Sequence, residues 1–277
     1  MQSVLTTNNL NIETTVITNP KLDNKNKRLS AGIINTETKS AIYFETPYLI
    51  TPFGVSFFDG GKNIAEDQKS YSIVLKATGG QNENQEVINK FFDYFRNLDK
   101  KAVDYAITHS QTLFKKKYSE EQRNIVEDML YNKCVKGSVS ADGTVYPDKI
   151  TLKIMRKEDG SPDLLVFKDS PTPLEIGTFE NLQNQIPKGM AIKVIGKVKF
   201  YCVNGKIGIN FQAIQVKLPN FEKVGRPVTY AFADSATTVS VTDNVLQKAV
   251  SVASVIVKEE ESAEDSEEES EVEVEEN

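Results

Sequence analysis

Two long strand patterns joined by an Asn-Gly dipeptide constrain the fold of this chain more than any other feature. Residues 191–203 and 206–218 are rich in β-branched and aromatic side chains, and Asn204-Gly205 between them is the strongest short-range hairpin signal. Along 191–203 apolar side chains alternate with lysines, which predicts one buried face and one basic outer face. A hairpin of this length predicts a mostly antiparallel β fold.

Shorter strand patterns lie on both sides of a helical block. The strands are predicted at 41–48, 53–58, 71–77, 149–156 and 164–167, with Asp159-Gly160 as a hairpin turn. Within 85–133, apolar residues recur at spacings of three and four over 85–98, 102–114 and 119–131, and Ser119 with Gln122 forms a capping-box pattern. The order predicts an α+β, mainly β fold: an OB-type Greek-key barrel with a helical insertion between strands. An open sheet with a separate helical subdomain is the alternative.

Charge and composition divide the chain further. Residues 1–28 are rich in Asn and Thr and are predicted to be a flexible lead-in, followed by the barrel domain at 29–220 and a linker at 221–257. Twelve of the 39 acidic residues lie between 259 and 277. Residues 1–258 therefore contain the other 27 acidic residues and all 33 Lys and Arg residues. The formal net charge of −6 is therefore the sum of +6 over residues 1–258 and −12 over residues 259–277, and the acidic tail, 258–277, is predicted to be disordered.

Several functional classes lack support in the sequence. No phosphate-binding glycine loop is present, and His109 is in register with apolar helix residues, so we predict no catalytic residue and no cofactor. Cys134 and Cys202 have no metal-ligand spacing, so we predict no metal site and a reduced, intracellular protein. A metal-dependent nuclease using aspartates in turns stays open. No run of about 20 apolar residues and no signal peptide is present, which predicts neither membrane insertion nor secretion.

The basic outer face indicates a polyanion as partner. Residues 188–217 contain six lysines and no acidic residue, and 149–156 repeats the alternation of basic and apolar side chains. Cations bind phosphates and aromatic rings stack on unpaired bases, so this face suits single-stranded nucleic acid, although a merely solvated strand face has the same pattern. The predicted phosphate contacts are Lys153, Arg156, Lys157, Lys193, Lys197, Lys199 and Lys206. The predicted stacking residues are Tyr201 and, less directly, Tyr48, Phe53 and Phe58.

The placement of Tyr201 has an alternative. A β-bulge at Gly196 would shift the parity of the strand and bury Tyr201 in the core.

The acidic tail is predicted to regulate binding at this face. A flexible 37-residue linker has a root-mean-square span of about 33 Å, which lets the tail reach across a domain of this size. The tail would compete with nucleic acid and, when released, recruit basic partner proteins. The predicted regulatory residues are Glu259, Glu260, Glu261, Glu264, Asp265, Glu267, Glu268 and Glu269. A tail that serves only solubility is the alternative.

The arrangement resembles a known family. The segments that carry the resemblance are Ile42-Tyr43-Phe44-Glu45-Thr46-Pro47-Tyr48-Leu49 with Thr51-Pro52-Phe53-Gly54-Val55, the 71–76 strand, the helix with Phe91, Phe92 and Phe95, and the 193–218 hairpin. Together they look like the acidic-tailed, OB-fold single-stranded DNA-binding proteins of phages and nucleo-cytoplasmic large DNA viruses.

The resemblance implies a protein that coats exposed DNA strands in viral replication, recombination and repair. It also implies that the tail contacts polymerase or helicase, in the host cytoplasm (a virus factory) or the nucleus. Phage members end their tail with an aromatic residue, whereas this chain ends Glu275-Glu276-Asn277, so docking through that aromatic is not implied.

Three questions stay open at this level. Phosphate and stacking contacts serve RNA as well as DNA, and the oligomeric state is undetermined, a homodimer included. A chaperone for basic proteins such as histones would also carry an acidic tail. Deleting the tail would abolish binding by the chaperone but strengthen binding by the DNA-binding protein.

Overall fold

A computed structural model of the chain describes residues 4–23, 28–58, 64–80 and 83–219. The strands are β1 (Val4–Leu5), β2 (Thr15–Ile17), β3 (Lys21–Asp23), β4 (Arg28–Asn35), β5 (Ser40–Ala41), β6 (Tyr43–Glu45), β7 (Leu49–Ile50), β8 (Val55–Phe58), β9 (Ser70–Lys76), β10 (Tyr131–Asn132), β11 (Lys136–Val139), β12 (Val145–Lys153), β13 (Met155–Arg156), β14 (Pro162–Asp163), β15 (Leu165–Phe167), β16 (Ala191–Val203) and β17 (Lys206–Lys217). The helices are α1 (Gln85–Thr108), α2 (Ser110–Phe114) and α3 (Phe179–Gln185), with 3-10 turns at Glu66–Gln68 and Glu120–Gln122 and a π-helical turn at Ile125–Leu130.

The predicted long hairpin is confirmed. β16 and β17 pair antiparallel from Lys193 opposite Lys217 to Val203 opposite Lys206. Asn204 and Gly205 have φ values of 51° and 71°, the left-handed conformation that a type I′ turn needs at both central positions. Because this turn twists in the same sense as the strands, the two strands pair directly from the turn, with one register shift between Ile195 and Gly196.

The hairpin belongs to a closed ring of strands. β16 pairs antiparallel with β6 and β7, and Leu49 in β7 bridges to Gly79 just beyond β9. β9 pairs antiparallel with β12, and β12 returns to β17 in a parallel ladder. The fold is therefore α+β, mainly β and OB-like, as predicted.

Helix α1 packs against the barrel through an aromatic layer. The Asn84 side chain caps the helix by accepting a hydrogen bond from the Glu86 N–H at 2.8 Å. The Phe95 ring lies 5.0 Å from that of Phe44 and 4.9 Å from that of Phe211, both edge to face. Each such ring pair contributes about 0.5–1.5 kcal/mol beyond the area it buries. The helical insertion thus completes the core instead of forming a separate subdomain.

The helical block differs from the prediction in two places. The segments predicted as 85–98 and 102–114 form one continuous helix as far as Thr108, followed by the short α2. The segment 119–131 keeps the capping contact, with Gln122 Oε1 accepting from the Ser119 N–H at 3.3 Å, but forms 3-10 and π turns. Only Val126 is buried in that π turn, so a regular helix would bury little apolar surface there.

The predicted flexible lead-in, 1–28, is wrong for residues 4–23. β1 pairs with β6, and both β2 and β3 pair with β4. Helix α1 supplies the polar partners of this segment: Tyr105 Oη donates to the Thr18 carbonyl at 2.8 Å, and Lys101 Nζ to the Ile12 carbonyl at 2.9 Å. The Asn- and Thr-rich composition does not reveal partners so distant in sequence.

Both cysteines are buried as free thiols, and burial raises the pKa of each. No helix in the described part of the chain is long and apolar enough to cross a bilayer. Among the described residues, no group of three or more His, Cys, Asp or Glu side chains is placed to hold a metal ion. The predictions for the linker 221–257 and the tail 258–277, with all its regulatory residues, lie outside the described residues.

Candidate nucleic-acid interface

The predicted division of β16 into two faces is confirmed. Ile192, Val194, Val198 and Phe200 are buried, whereas the lysines between them and Tyr201 lie on the outer face. β12 alternates in the same way, with Ile150 and Leu152 buried. The register shift in the hairpin places the extra residue, Ile214, in β17, so β16 keeps its parity. Gly196 instead leaves room on the inner face, where a Cβ would lie 2.6 Å from Cζ of Phe44.

Strand register aligns outward side chains from six strands in one row, which we call the cross-barrel row. It consists of Ser56, Ser72, Lys153, Gln212, Lys197 and Tyr43, each directly opposite the next. The Lys197 ammonium lies 5.3 Å from the centroid of the Tyr43 ring. With strands about 4.8 Å apart, the row spans about 24 Å. Two lysines that the sequence predicts as phosphate contacts, Lys153 and Lys197, therefore belong to one continuous outer surface.

Three further lysines stand directly opposite one another on adjacent strands. Lys149 in β12 faces Lys76 in β9 on one side and Lys136 in β11 on the other. Like charges in opposed positions are destabilising, by an amount comparable with the about 0.2–1 kcal/mol of other cross-strand pairs. No acidic residue of the described segments forms an ion pair with any of the three. We call this set the lysine triad.

An aromatic cleft adjoins the lysine triad. Phe53 and Tyr146 are 60% and 50% exposed, and with Lys76 and Lys149 they line a cleft of about 220 Å³. The other two lining residues are Pro52 and Pro147. Exposed aromatic rings beside uncompensated lysines offer stacking surface and positive charge in one place.

A tight turn that requires glycine precedes β8 and carries Phe53. Gly54 has φ of +63°, and a Cβ there would lie 2.4 Å from the Ile186 carbonyl oxygen, so the turn between β7 and β8 requires glycine. Thr51 Oγ1 donates a hydrogen bond to the Gly54 carbonyl at 3.2 Å, which closes the turn between these two residues. The backbone therefore holds the Phe53 side chain at the surface.

Two of the other predicted lysines have partners within the fold. Lys193 Nζ lies 2.9 Å from Glu45 Oε1 and 5.2 Å from the centroid of the half-buried Tyr48 ring. Lys206, beside the hairpin turn, donates to the Met129 carbonyl. Lys199 is exposed on the outer face of β16, next to Asn210. The predicted lysines of β16 therefore share a face but differ in how far their charges are already compensated.

Arg156 lies in a different environment from the other predicted cations. Its guanidinium group donates to the carbonyls of Glu66 at 2.5 Å, Gly160 at 3.1 Å and Lys69 at 3.3 Å. The same group lies 4.4 Å from the centroid of the Phe179 ring, which stacks on Tyr71 at 4.0 Å. Lys157 is exposed in the following turn. We call the contacts of Arg156 the arginine clamp. They connect the loop that contains Glu66 and Lys69 with the turn at Gly160, at the end of the barrel next to α3.

The clamp also shifts the pKa values of its ionisable neighbours. Hydrogen bonds from Lys69, Tyr71 and Arg156, in that order, lower the pKa of Glu66. Burial, followed by the hydrogen bond to Glu66, raises the pKa of Tyr71 to about 12. Both shifts show that the fold stabilises a charged Glu66 carboxylate, which accepts the hydrogen bond, and a neutral Tyr71 hydroxyl, which donates it.

The predicted stacking residues are spread over the outer surface. Tyr201 is half-buried, and its hydroxyl accepts from Asn132 Nδ2 at 3.2 Å. Its ring lies over Gly208, where a Cβ would be 3.0 Å from Cε1 of Tyr201. Phe58, 78% exposed, ends β8. Only Phe53 of the four predicted aromatics lines the aromatic cleft.

Sequence reasoning missed four members of this surface as site residues: Lys76, Lys136, Lys149 and Tyr146. The strand predicted at 149–156 begins at Val145, and the Val-Tyr-Pro sequence at its start carries the exposed ring. A β-branched and an aromatic residue directly before the predicted strand are a signal that could have extended it. The opposition of the lysines depends on strand register, which no local signal specifies.

Comparisons with known proteins give no family. No family model and no curated protein matches the chain. Among solved structures, it is similar to the single-stranded DNA-binding protein from bacteriophage Enc34 in complex with ssDNA, at 10% identity over 75% of this chain and 96% of that chain, with a TM-score of 0.39. It is also similar to gp2.5, a single-stranded DNA-binding protein encoded by bacteriophage T7, at 13% identity over 70% of this chain and 97% of that chain, with a TM-score of 0.30. At identities and TM-scores this low, the likeness assigns neither a family nor a ligand to this chain.

Proposed function

We propose that this chain binds single-stranded DNA on the outer face of its barrel and catalyses no reaction. The observation that carries the proposal is the lysine triad beside the aromatic cleft. Opposed lysines repel one another in the free protein, and a bound phosphate backbone relieves that repulsion. The rings of Phe53 and Tyr146 supply stacking surface for bases next to those phosphates.

The surface favours an unpaired strand over a duplex. Bases inside a duplex are stacked on one another and present only their edges in the grooves, so exposed rings gain little from them. An unpaired strand offers π-faces to the aromatic cleft, while its phosphates reach the lysines. The cross-barrel row extends this surface from Ser56 to Tyr43 and adds Lys153 and Lys197.

The proposal includes a role for the acidic tail. The twelve acidic residues between 259 and 277 compete with DNA for the basic face and recruit replication proteins such as polymerase or helicase when DNA displaces them. The protein then coats strands exposed during viral replication, recombination and repair, in the host cytoplasm or nucleus. The charge contrast between the body and the tail supports this part.

A binding titration with labelled single-stranded and duplex DNA tests the proposal. We expect the single strand to bind more tightly, and the chain lacking 258–277 to bind it more tightly still, with a difference that shrinks as salt rises. Equal affinity for duplex would contradict the assignment. Binding of histones that depends on the tail would favour the chaperone, and cleavage that requires divalent metal would indicate a nuclease. A single-stranded RNA of the same length measures the preference between DNA and RNA.

A further inference from the structure

The outer face of β17 differs in chemistry from its two neighbours. Its outward residues between the turn and Lys217 are Gly208, Asn210, Gln212 and Gln215, none of which is charged. The strands on either side carry lysines: β16 has Lys197 and Lys199, and β12 has Lys153. A neutral amide-bearing strand thus runs between two basic strands.

Register gives the spacing of these groups. Gln212 lies directly opposite Lys153 on one side and Lys197 on the other, and Asn210 lies directly opposite Lys199. Two strand spacings separate the backbones at Lys153 and Lys197, which is about 10 Å. A DNA strand with a phosphate held by either lysine would therefore pass within about one strand spacing of Gln212.

The two amides are available to a ligand. The residues on either side of them, Ile209, Phe211 and Ala213, are buried, so Asn210 and Gln212 lie on the outer face and are partly exposed. Neither side chain forms a hydrogen bond with another residue in the described segments. A carboxamide carries one acceptor and two donors in a plane, which matches the paired donor and acceptor of a base edge.

We propose that Asn210 and Gln212 read base edges and give this surface a preference for adenine over thymine. This inference rests on the proposed function, since it concerns the same surface. Adenine presents a donor and an acceptor side by side on two edges, at N6 with N7 and at N6 with N1. Thymine presents such pairs on its Watson–Crick edge alone, where N3–H lies between O2 and O4, whereas the N6–N7 edge of adenine is the usual bidentate partner of an Asn or Gln carboxamide.

A thermodynamic cycle with the full chain tests the inference. The probes are a labelled thymine strand of about 16 nucleotides and a strand of equal length in which every second thymine is adenine. We expect Gln212→Ala to reduce the ratio of the two dissociation constants, thymine strand over mixed strand, by about fivefold or more. Asn210→Ala should act in the same direction. Taking the change in this ratio removes any difference in the intrinsic stiffness of the two strands.

Two control variants separate the possible outcomes. Lys153→Ala should weaken the binding of both DNA strands by the same factor, because a phosphate contact does not depend on the base. Asn97→Ala, an exposed amide on α1, should change neither affinity. If the chain binds single strands but the ratio is unchanged in Gln212→Ala and Asn210→Ala, base reading is wrong and the proposed function stands. If the native chain binds no single strand, the proposed function itself is wrong.

Discussion

The aromatic cleft with its lysine triad and the arginine clamp are two basic, aromatic regions on one domain, and they use the same residue types differently. In the region of the clamp, Lys69 Nζ lies 2.9 Å from Glu66 Oε2 and 4.4 Å from the centroid of the Phe57 ring. Arg156 donates to three backbone carbonyls and covers the Phe179 ring. In the triad, the lysines face one another and the rings of Phe53 and Tyr146 face outward.

The difference indicates that the partners of a cation, more than the composition around it, separate a structural cation from a candidate binding cation. Each cation of the clamp has already exchanged water for carbonyls, a carboxylate or a ring, and moving it to a phosphate would cost those contacts. The lysines of the triad have no such contacts among the described residues and gain from any phosphate that separates them. Arg156, predicted as a phosphate contact, therefore becomes a candidate for a stabilising role.

Removal of the clamp is expected to give the largest effect. Arg156→Ala should lower the free energy of unfolding by about 2–3 kcal/mol, because it removes hydrogen bonds from a charged donor and the contact with Phe179. Thermal unfolding monitored by circular dichroism checks this, with the exposed neighbour Lys157→Ala as the control. DNA affinity of the folded variant should be unchanged. A stable Arg156→Ala variant with a reduced salt dependence of binding would restore Arg156 as a phosphate contact.

Loss of a ring from the cleft is expected to weaken binding without unfolding the domain. Phe53→Ala and Tyr146→Ala should each cost about 1–3 kcal/mol of binding free energy, since each removes a stacking surface. The slope of log affinity against log salt should stay the same, because no phosphate contact is lost. Phe57→Ala, in the clamp region, serves as the matched control and should lower stability instead. Unaltered affinity in both cleft variants would place stacking elsewhere, with Tyr201 as the next residue to test.

Single substitutions in the lysine triad should change binding and stability in opposite directions. Lys149→Ala should reduce the salt slope by about 0.7, the value for one phosphate contact on a single strand. It should also raise the free energy of unfolding by up to about 1 kcal/mol, because it removes a charge opposed by two others. Lys69→Ala in the clamp is the comparison and should lower stability with no change in slope. A destabilised Lys149→Ala variant with an unchanged slope would show that the triad is structural.

The smallest expected effect is the pH dependence of the clamp. Because its pKa is lowered in the fold, Glu66 contributes stability above its unfolded pKa, and this contribution is lost as the pH falls through the lower, folded value. The effect is small because Glu66 is 56% exposed. Native protein and Glu66→Gln should converge in stability as the pH falls from 7 to acid values in chemical denaturation. A constant difference between them would exclude this linkage.

The sequence by itself determined several local elements, the long hairpin and most of α1 among them. Asn204-Gly205 specifies the turn, and alternation along 191–203 specifies which side chains of β16 face the core, because both depend on neighbours a few residues apart. The amphipathic pattern after Asn84 likewise predicts most of α1. These signals were enough for an α+β, mainly β fold and for the outward position of Lys193, Lys197, Lys199 and Tyr201.

Tertiary structure decided which outward residues form the candidate site. Lys76, Lys136 and Lys149 come from three separate strands, and only the register of β9, β11 and β12 places them in opposition. Arg156 donates to the Glu66 carbonyl across 90 residues of sequence, and this bond occupies a guanidinium donor that a phosphate would need. The physical reason is the same in both cases. Whether a charged side chain is available to a ligand depends on the groups that strand pairing brings within hydrogen-bonding distance of it. Pairing between strands that are distant in sequence leaves no periodic pattern in the sequence.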